Sequence, residues 1–260
     1  MQSLCKTGIL QWTLRCSRIS QLINSSSYSC TGLLTFKGSI LHSKVQSHDI
    51  MKLPSINFST SSELNGAIAS VKKKLYNLMS ANSKAKLGGC IAYEKCADTI
   101  DYQEFFKYFD LPDSFQSWFL IVQLHVWMCT LITITEKSGL VFRNNIVDSM
   151  WVDVETRLGH LKEVRRSSRK QFLAEISDQF RASQIAYDEG VLSNDTVLAS
   201  AVWRTIFGFR NMDPRVLETM VFYIRKQIDY LDHQHTENIL FKGTVEFIPL
   251  KTIIDKINAV

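Results

Sequence analysis

The sequence predicts a mainly α-helical fold, a helical bundle with a short extended or β tail after the last helix. Gly and Pro are scarce, at 11 and 4 in 260 residues, whereas sandwiches and barrels consume many turn residues. Apolar residues recur at intervals of three and four along most of the chain, the spacing of one helix face. Capping residues stand where those runs begin, as in Asp213-Pro214, an N-cap with proline at the first helical position. A composition of 45% apolar and 21% charged residues is that of an ordinary globular protein.

Residues 1–62 read as a mostly disordered mitochondrial transit peptide. Six basic side chains (Lys6, Arg15, Arg18, Lys37, Lys44, Lys52) face one acid, Asp49, in a stretch rich in Ser and Thr. Leu4, Ile9, Leu10, Trp12, Leu14, Ile19, Leu22 and Ile23 can form an apolar face with Lys6, Arg15 and Arg18 outside it, as import across a charged membrane requires. This segment carries the whole net charge of +5; the 24 basic and 24 acidic side chains beyond it cancel. The body therefore has no overall field to steer it to nucleic acid.

Residues 63–103 read as an N-terminal helical segment and linker. Leu64, Ile68, Val71, Leu75 and Leu78 mark one helix face, and Asn82–Gly89 reads as a linker broken at Gly88-Gly89. Residues 104–250 form the main helical domain, and 251–260 a tail. Tyr102–Phe109 is a short aromatic helix, ended at Leu111-Pro112, and Asp113 or Ser114 caps the next. Phe115–Thr135 carries no formal charge and is long enough to cross a membrane. Gln116, Gln123, His125, Thr130 and Thr133 are spread around it, and polar groups in mid-membrane are costly; a helix buried on all sides is the expectation. Ile146–Leu161 turns Ile146, Val147, Met150, Trp151, Val154 and Leu158 inward. Val164–Asp188 has a stripe of Phe172, Ile176, Phe180, Ile185 and Ala186, and Gly190 reads as its stop. Ser193-Asn194-Asp195 caps a helix through Phe207. Pro214 opens another to Leu231, with Leu217, Met220, Val221, Ile224 and Ile228 apolar. In Thr244–Pro249, Val245 and Phe247 alternate with polar neighbours.

No catalytic constellation emerges: no phosphate-binding Gly loop, dinucleotide pattern or nucleophile elbow. The chain is expected not to be an enzyme and to need no cofactor or metal. Cys90, Cys96 and Cys129 are expected to be free thiols. His125 reads as a core histidine with a satisfied hydrogen bond. Asp232-His233-Gln234-His235 reads as a solvated helix end rather than a metal site. Arg165, Arg166, Arg169 and Lys170 form the one dense basic cluster, a solvated helix start or a patch for ribosome, RNA or anionic membrane. Asp188 and Glu189 end a helix where the dipole disfavours acids; an ion pair with Arg204 is expected there. Trp118, Phe119, Trp127, Trp151 and Trp203 could line an aromatic groove between helices that holds an apolar client or partner, with plain core packing as the alternative for each.

Five stretches carry a resemblance: Leu111–Met128 (LPDSFQSWFLIVQLHVWM), Met150–Leu158 (MWVDVETRL), Tyr187–Phe207 (YDEGVLSNDTVLASAVWRTIF), Asp213–Asp232 (DPRVLETMVFYIRKQIDYLD) and Gly243–Leu250 (GTVEFIPL). In this order they resemble the ubiquinol–cytochrome c reductase (complex III) assembly factors, the mitochondrial cytochrome b chaperones, over about residues 104–250. The resemblance implies an all-α chaperone domain in the mitochondrial matrix or at the matrix face of the inner membrane, in peripheral association with it. It implies newly made cytochrome b and a small partner assembly factor as partners, contact with the mitochondrial ribosome in some lineages, and no catalytic residues. The stretch Glu163–Arg169 departs from the family pattern, so the basic cluster receives no family role. An RNA- or ribosome-associated mitochondrial translation factor is the alternative reading.

Overall fold

The computed structural model describes residues 70, 74–160 and 166–258, with backbone alone at 166–168 and 258. The predicted transit peptide lies outside the described residues, as do Leu64, Ile68 and Val71. Leu75 and Leu78 lie in a short helical stretch, 74–78, described by itself, where both are exposed.

From residue 81 the described chain folds as nine helices: α1 (Ala81–Asp98), α2 (Tyr102–Tyr108), α3 (Phe115–Thr133), α4 (Gly139–His160), α5 (Arg166–Leu192), α6 (Asp195–Thr205), α7 (Pro214–Asp232), α8 (Thr236–Lys242) and α9 (Leu250–Asn258). No strand occurs among the described residues, so the predicted mainly α class is the observed one. Local sequence sets the helix starts. Ser80, Asp101, Ser114, Asn194 and Asp213 each accept a hydrogen bond from a backbone N–H of the first helical turn, which satisfies a donor the helix itself leaves open.

The core is built around α3. Every residue from Ser117 to Thr130 is buried. Of the described helices, α3 alone is long and apolar enough to cross a membrane, and 83% of its apolar window is buried inside the fold. Its neighbours surround it: Cys129 Sγ meets Cys96 of α1 at 3.8 Å, His125 meets Phe105 of α2, Phe119 meets Trp151 of α4, and Trp127 meets Tyr187 of α5. A helix flanked on all sides by side chains needs no charged, solvent-facing side, and α3 carries no charged residue. Cys90, Cys96 and Cys129 are free thiols, the latter two buried.

Three expectations fail, two of them through glycine. Gly88 and Gly89 do not break a linker; they lie inside α1. A Cβ on Gly88 would stand 2.2 Å from the Leu240 carbonyl oxygen of α8, and one on Gly89 2.8 Å from that of Phe142 in α4. The pair lets three backbones cross closely. Gly190 does not stop α5 either, because its bare Cα faces Leu198 of α6, where a Cβ would come within 2.8 Å, and the helix runs on to Leu192. Ile185, assigned to the buried stripe, is 70% exposed, while Tyr187 is fully buried.

The tail is also placed differently. Residues 244–249 form an arm outside any helix or strand, and they lie between α8 and α9 rather than after the last helix. Two glutamines of α7 hold this arm as a neighbouring strand would. Gln227 donates to Ile248 O at 2.6 Å and accepts from Ile248 N at 3.1 Å. Gln234 does the same with Glu246, at 2.7 and 3.2 Å. Side-chain amides carry one donor side and one acceptor, so each replaces one rung of a ladder.

Candidate functional site

Three of the five predicted aromatic residues, Phe119, Trp127 and Trp151, border the groove between α3 and α4, while Trp118, nine residues before Trp127, lies on the opposite side of α3. Trp118, Phe119 and Trp127 come from α3 and Trp151 from α4, with the Phe119 and Trp151 rings 5.8 Å apart. Arg157 of α4 stacks on Trp118 at 4.3 Å, held by both carboxylate oxygens of Asp153 at 2.9 Å. Asp153 also accepts from the Tyr93 hydroxyl of α1 at 2.6 Å. That rim fixes the α3–α4 angle on one side.

The groove is filled by α5 of the same chain. Phe172 packs on Phe115 at 5.9 Å, Phe180 on Trp151 at 5.7 Å, and Tyr187 on Trp127 at 5.1 Å. These contacts show Trp127 and Trp151 packed against α5 of the same chain. Phe119 and Trp127 are almost fully buried, whereas Trp151 is half-buried.

The α3–α5 seam is unusually polar for a core contact. The Gln116 amide donates to Gln179 Oε1 at 2.8 Å. The Trp127 indole N–H donates to Asp188 Oδ1 at 2.8 Å. Burial raises the Asp188 carboxyl above the usual carboxylate range, against a smaller opposite pull from the Trp127 hydrogen bond. These two contacts advance in the same direction along both helices, so α3 and α5 run parallel with α4 returning between them. Gln123 lies on the same strip of α3, two turns from Gln116 and one from Trp127. It is fully buried, and neither amide atom has a hydrogen-bond partner among the described residues; the buried Gln184 Nε2 of α5 lacks one too.

The ion pair expected between Asp188 or Glu189 and Arg204 does not form among the described residues. Asp188 turns inward to Trp127, while Glu189 and Arg204 are exposed. The cation at this helix end is instead Arg225 of α7. It donates to the Val191, Ser193 and Gly190 carbonyls at 2.8, 3.0 and 3.4 Å and to Asp195 at 3.0 Å. It thereby satisfies open acceptors at the α5 C-terminus, where the dipole favours positive charge. Sequence spacing gave no signal for this partner.

Trp203 lies elsewhere. Its indole N–H donates to Arg210 O at 2.7 Å and its ring meets Phe209 at 5.2 Å. Phe209 holds a positive φ of 61° and is 62% exposed. Of the basic cluster, Arg165 and the side chain of Arg166 lie outside the described residues; Arg169 is half-buried and Lys170 exposed. His233 ends α7 with an exposed ring, His235 precedes α8, and no group of three or more possible metal ligands occurs among the described residues.

His125 is fully buried and lies between α3 and α7. Nδ1 stands 2.8 Å from Ile121 O, and Nε2 2.7 Å from the Tyr223 hydroxyl. A carbonyl only accepts, so Nδ1 carries the proton and Nε2 accepts from Tyr223. Burial holds the imidazole neutral, its pKa lowered to about 4 against a smaller upward pull from the Ile121 carbonyl. Phe105 and Phe247 meet its ring edge-on. The ring is fully buried, with Phe247 of the arm against it.

Among the described residues the fold is an all-α core in which α5 packs across α3 and α4. The profile of the ubiquinol-cytochrome c chaperones matches residues 107–247, over half of the chain. The chain belongs to this family. Its relatives include ubiquinol-cytochrome c reductase complex assembly factor 1 of mouse, 42% identical over 64% of this chain and 57% of the relative. The Xenopus laevis protein of that name is 40% identical over 64% and 84%. Protein CBP3, mitochondrial, of Saccharomyces cerevisiae is 32% identical over 63% and 49%. The chain thus spans little more than half the length of the mouse relative. No solved structure matches it.

Proposed function

We propose that this chain is a mitochondrial assembly factor for respiratory complex III. It binds newly made cytochrome b from the matrix face of the inner membrane, as a peripheral protein working with a small partner assembly factor. Membership of the chaperone family carries this reading, because the match covers α3, α4 and α5. The names of its relatives, complex assembly factors and a mitochondrial protein, support the complex and the compartment. The groove supports the mode of action, since it already accepts a helix through spaced apolar anchors. Residues 1–62 would supply the import signal. The role is binding rather than catalysis.

Depleting the protein and separating the respiratory complexes on a native gel tests the proposal. Complex III is expected to fall while complexes without cytochrome b hold. Normal complex III would refute it. An equal loss of every complex with mitochondrially encoded subunits would favour a general translation factor.

A further inference from the structure

The α3–α5 seam differs in kind from the other contacts of the core. Between α1 and α4 the backbones touch at Gly89, and between α1 and α3 two buried thiols meet. Helix α5 reaches α3 through long side chains, three of them Gln116, Gln179 and Asp188. The unpartnered amide of Gln123 lies between these contacts. A buried polar group without a partner disfavours the closed state, because water would satisfy it on opening. Sealing a groove permanently calls for an apolar strip. This seam holds one amide pair, one indole–carboxyl bond and two side chains, Gln123 and Gln184, with buried amide atoms left unpartnered.

We propose that α5 is a displaceable occupant of the α3–α4 groove, and that the groove is the seat for an apolar helix of the client, which takes the place of α5. The inference rests on the client reading above and names the surface for it. The geometry of α5 specifies the partner. It presents Phe172, Ile176, Phe180 and Tyr187 to Phe115, Trp151 and Trp127. A replacement therefore carries bulky apolar residues at three- and four-residue spacing. Opposite Gln123 it carries an amide or hydroxyl that bonds to that side chain, as Gln184 of α5, itself unpartnered at Nε2, does not. A membrane-protein helix caught before insertion has this chemistry, and the aromatic walls shield it from water. Gln123 then rewards the client over α5.

Hydrogen exchange on the isolated full chain tests the displacement without any client. The amides of α5 are expected to exchange through a partial opening, well before those of α3 and α7. Gln123→Met keeps the shape and removes that unpartnered amide, so exchange in α5 is expected to slow about tenfold, the equivalent of about 1.4 kcal/mol for one unsatisfied amide. Exchange of α5 only together with α3, or no slowing in the variant, would overturn the proposal. Capture tests the use of the groove. Gln116→Cys and Gln179→Cys, in a background with Cys5, Cys16, Cys30 and Cys90 each changed to Ser, place two half-buried thiols across the seam for a short bismaleimide. The probe is cytochrome b radiolabelled by translation in isolated mitochondria and released in mild detergent. The stapled protein is expected to capture at least about tenfold less than the same variant blocked with a monofunctional maleimide; equal capture would refute the seat. Because exchange is read without client, a failed displacement and a failed client reading are told apart.

Discussion

Acidification should weaken this protein through His125, and the size of the effect follows from its surroundings. The imidazole is fully buried and neutral, with its pKa lowered from 6.5 to about 4. A folded-state pKa below the unfolded one means that the unfolded chain binds the proton more readily between those values. Stability contributed by His125 is therefore complete above about pH 6.5 and is lost as pH falls toward 4. The full span is about 3 kcal/mol, and at pH 5 the loss relative to pH 8 is about 2 kcal/mol. Protonation also puts a second donor on Nε2, which faces the Tyr223 hydroxyl at 2.7 Å; that hydroxyl must turn to accept. Asp188 works in the opposite sense, since its raised pKa lets the folded state hold a proton that the unfolded chain releases. The assay is urea unfolding from pH 4.5 to 8 for the parent and for His125→Gln, whose amide still reaches Tyr223. Asp188 contributes equally to both, so the difference isolates the imidazole. The parent is expected to lose about 2 kcal/mol more than the variant between pH 8 and 5. Parallel pH profiles would refute the buried neutral histidine.

Gly88→Ala would drive a Cβ into the Leu240 carbonyl, 2.2 Å away; a loss of about 3 kcal/mol is expected, read as a lower urea midpoint. Gln227→Leu leaves the Ile248 N–H and carbonyl without their partner amide; it should cost about 2 kcal/mol and speed amide exchange in 244–249 ahead of the rest of α7. Arg225→Met removes the donors from the α5 C-terminus; a loss of about 2 kcal/mol is expected, seen as a fall of about 4–8 °C in Tm.

The sequence displayed most of the helices because amphipathic spacing and caps are local signals. Ser114, Asn194 and Asp213 each cap within three residues, and the uncharged run of α3 announced a helix buried on every side. What stayed hidden depends on distant partners. Gly88-Gly89 and Gly190 look like breakers in a linear reading, since only the crossing of α1 with α4 and α8, and of α5 with α6, shows that these positions need the absence of a Cβ. Asp188 invited a cation nearby in sequence, but its partner is an indole 61 residues away. Arg225 stands 30 or more residues from the groups it holds. The arm showed its alternation, yet its pairing with glutamine side chains leaves no periodic trace. Of the aromatic list, Phe119, Trp127 and Trp151 border the groove that α5 fills, while Trp118, half a turn round α3 from Trp127, packs under Arg157; Trp203 serves a loop that spacing does not describe.

These contacts also fix how α5 would move. Arg225 holds its last turn to α7, and Gly190 holds it against Leu198 of α6. Neither contact involves the α3 seam. Displacement is thus a swing about the C-terminal end rather than a release of the whole helix. The Phe172 and Phe180 anchors lie far from that hinge and travel farthest, whereas Tyr187 lies close to it. Client residues would then engage the Phe115 and Trp151 end of the groove first. The Trp127–Asp188 bond, one turn from the hinge, is the last to part, so the length of client helix admitted depends on whether it breaks.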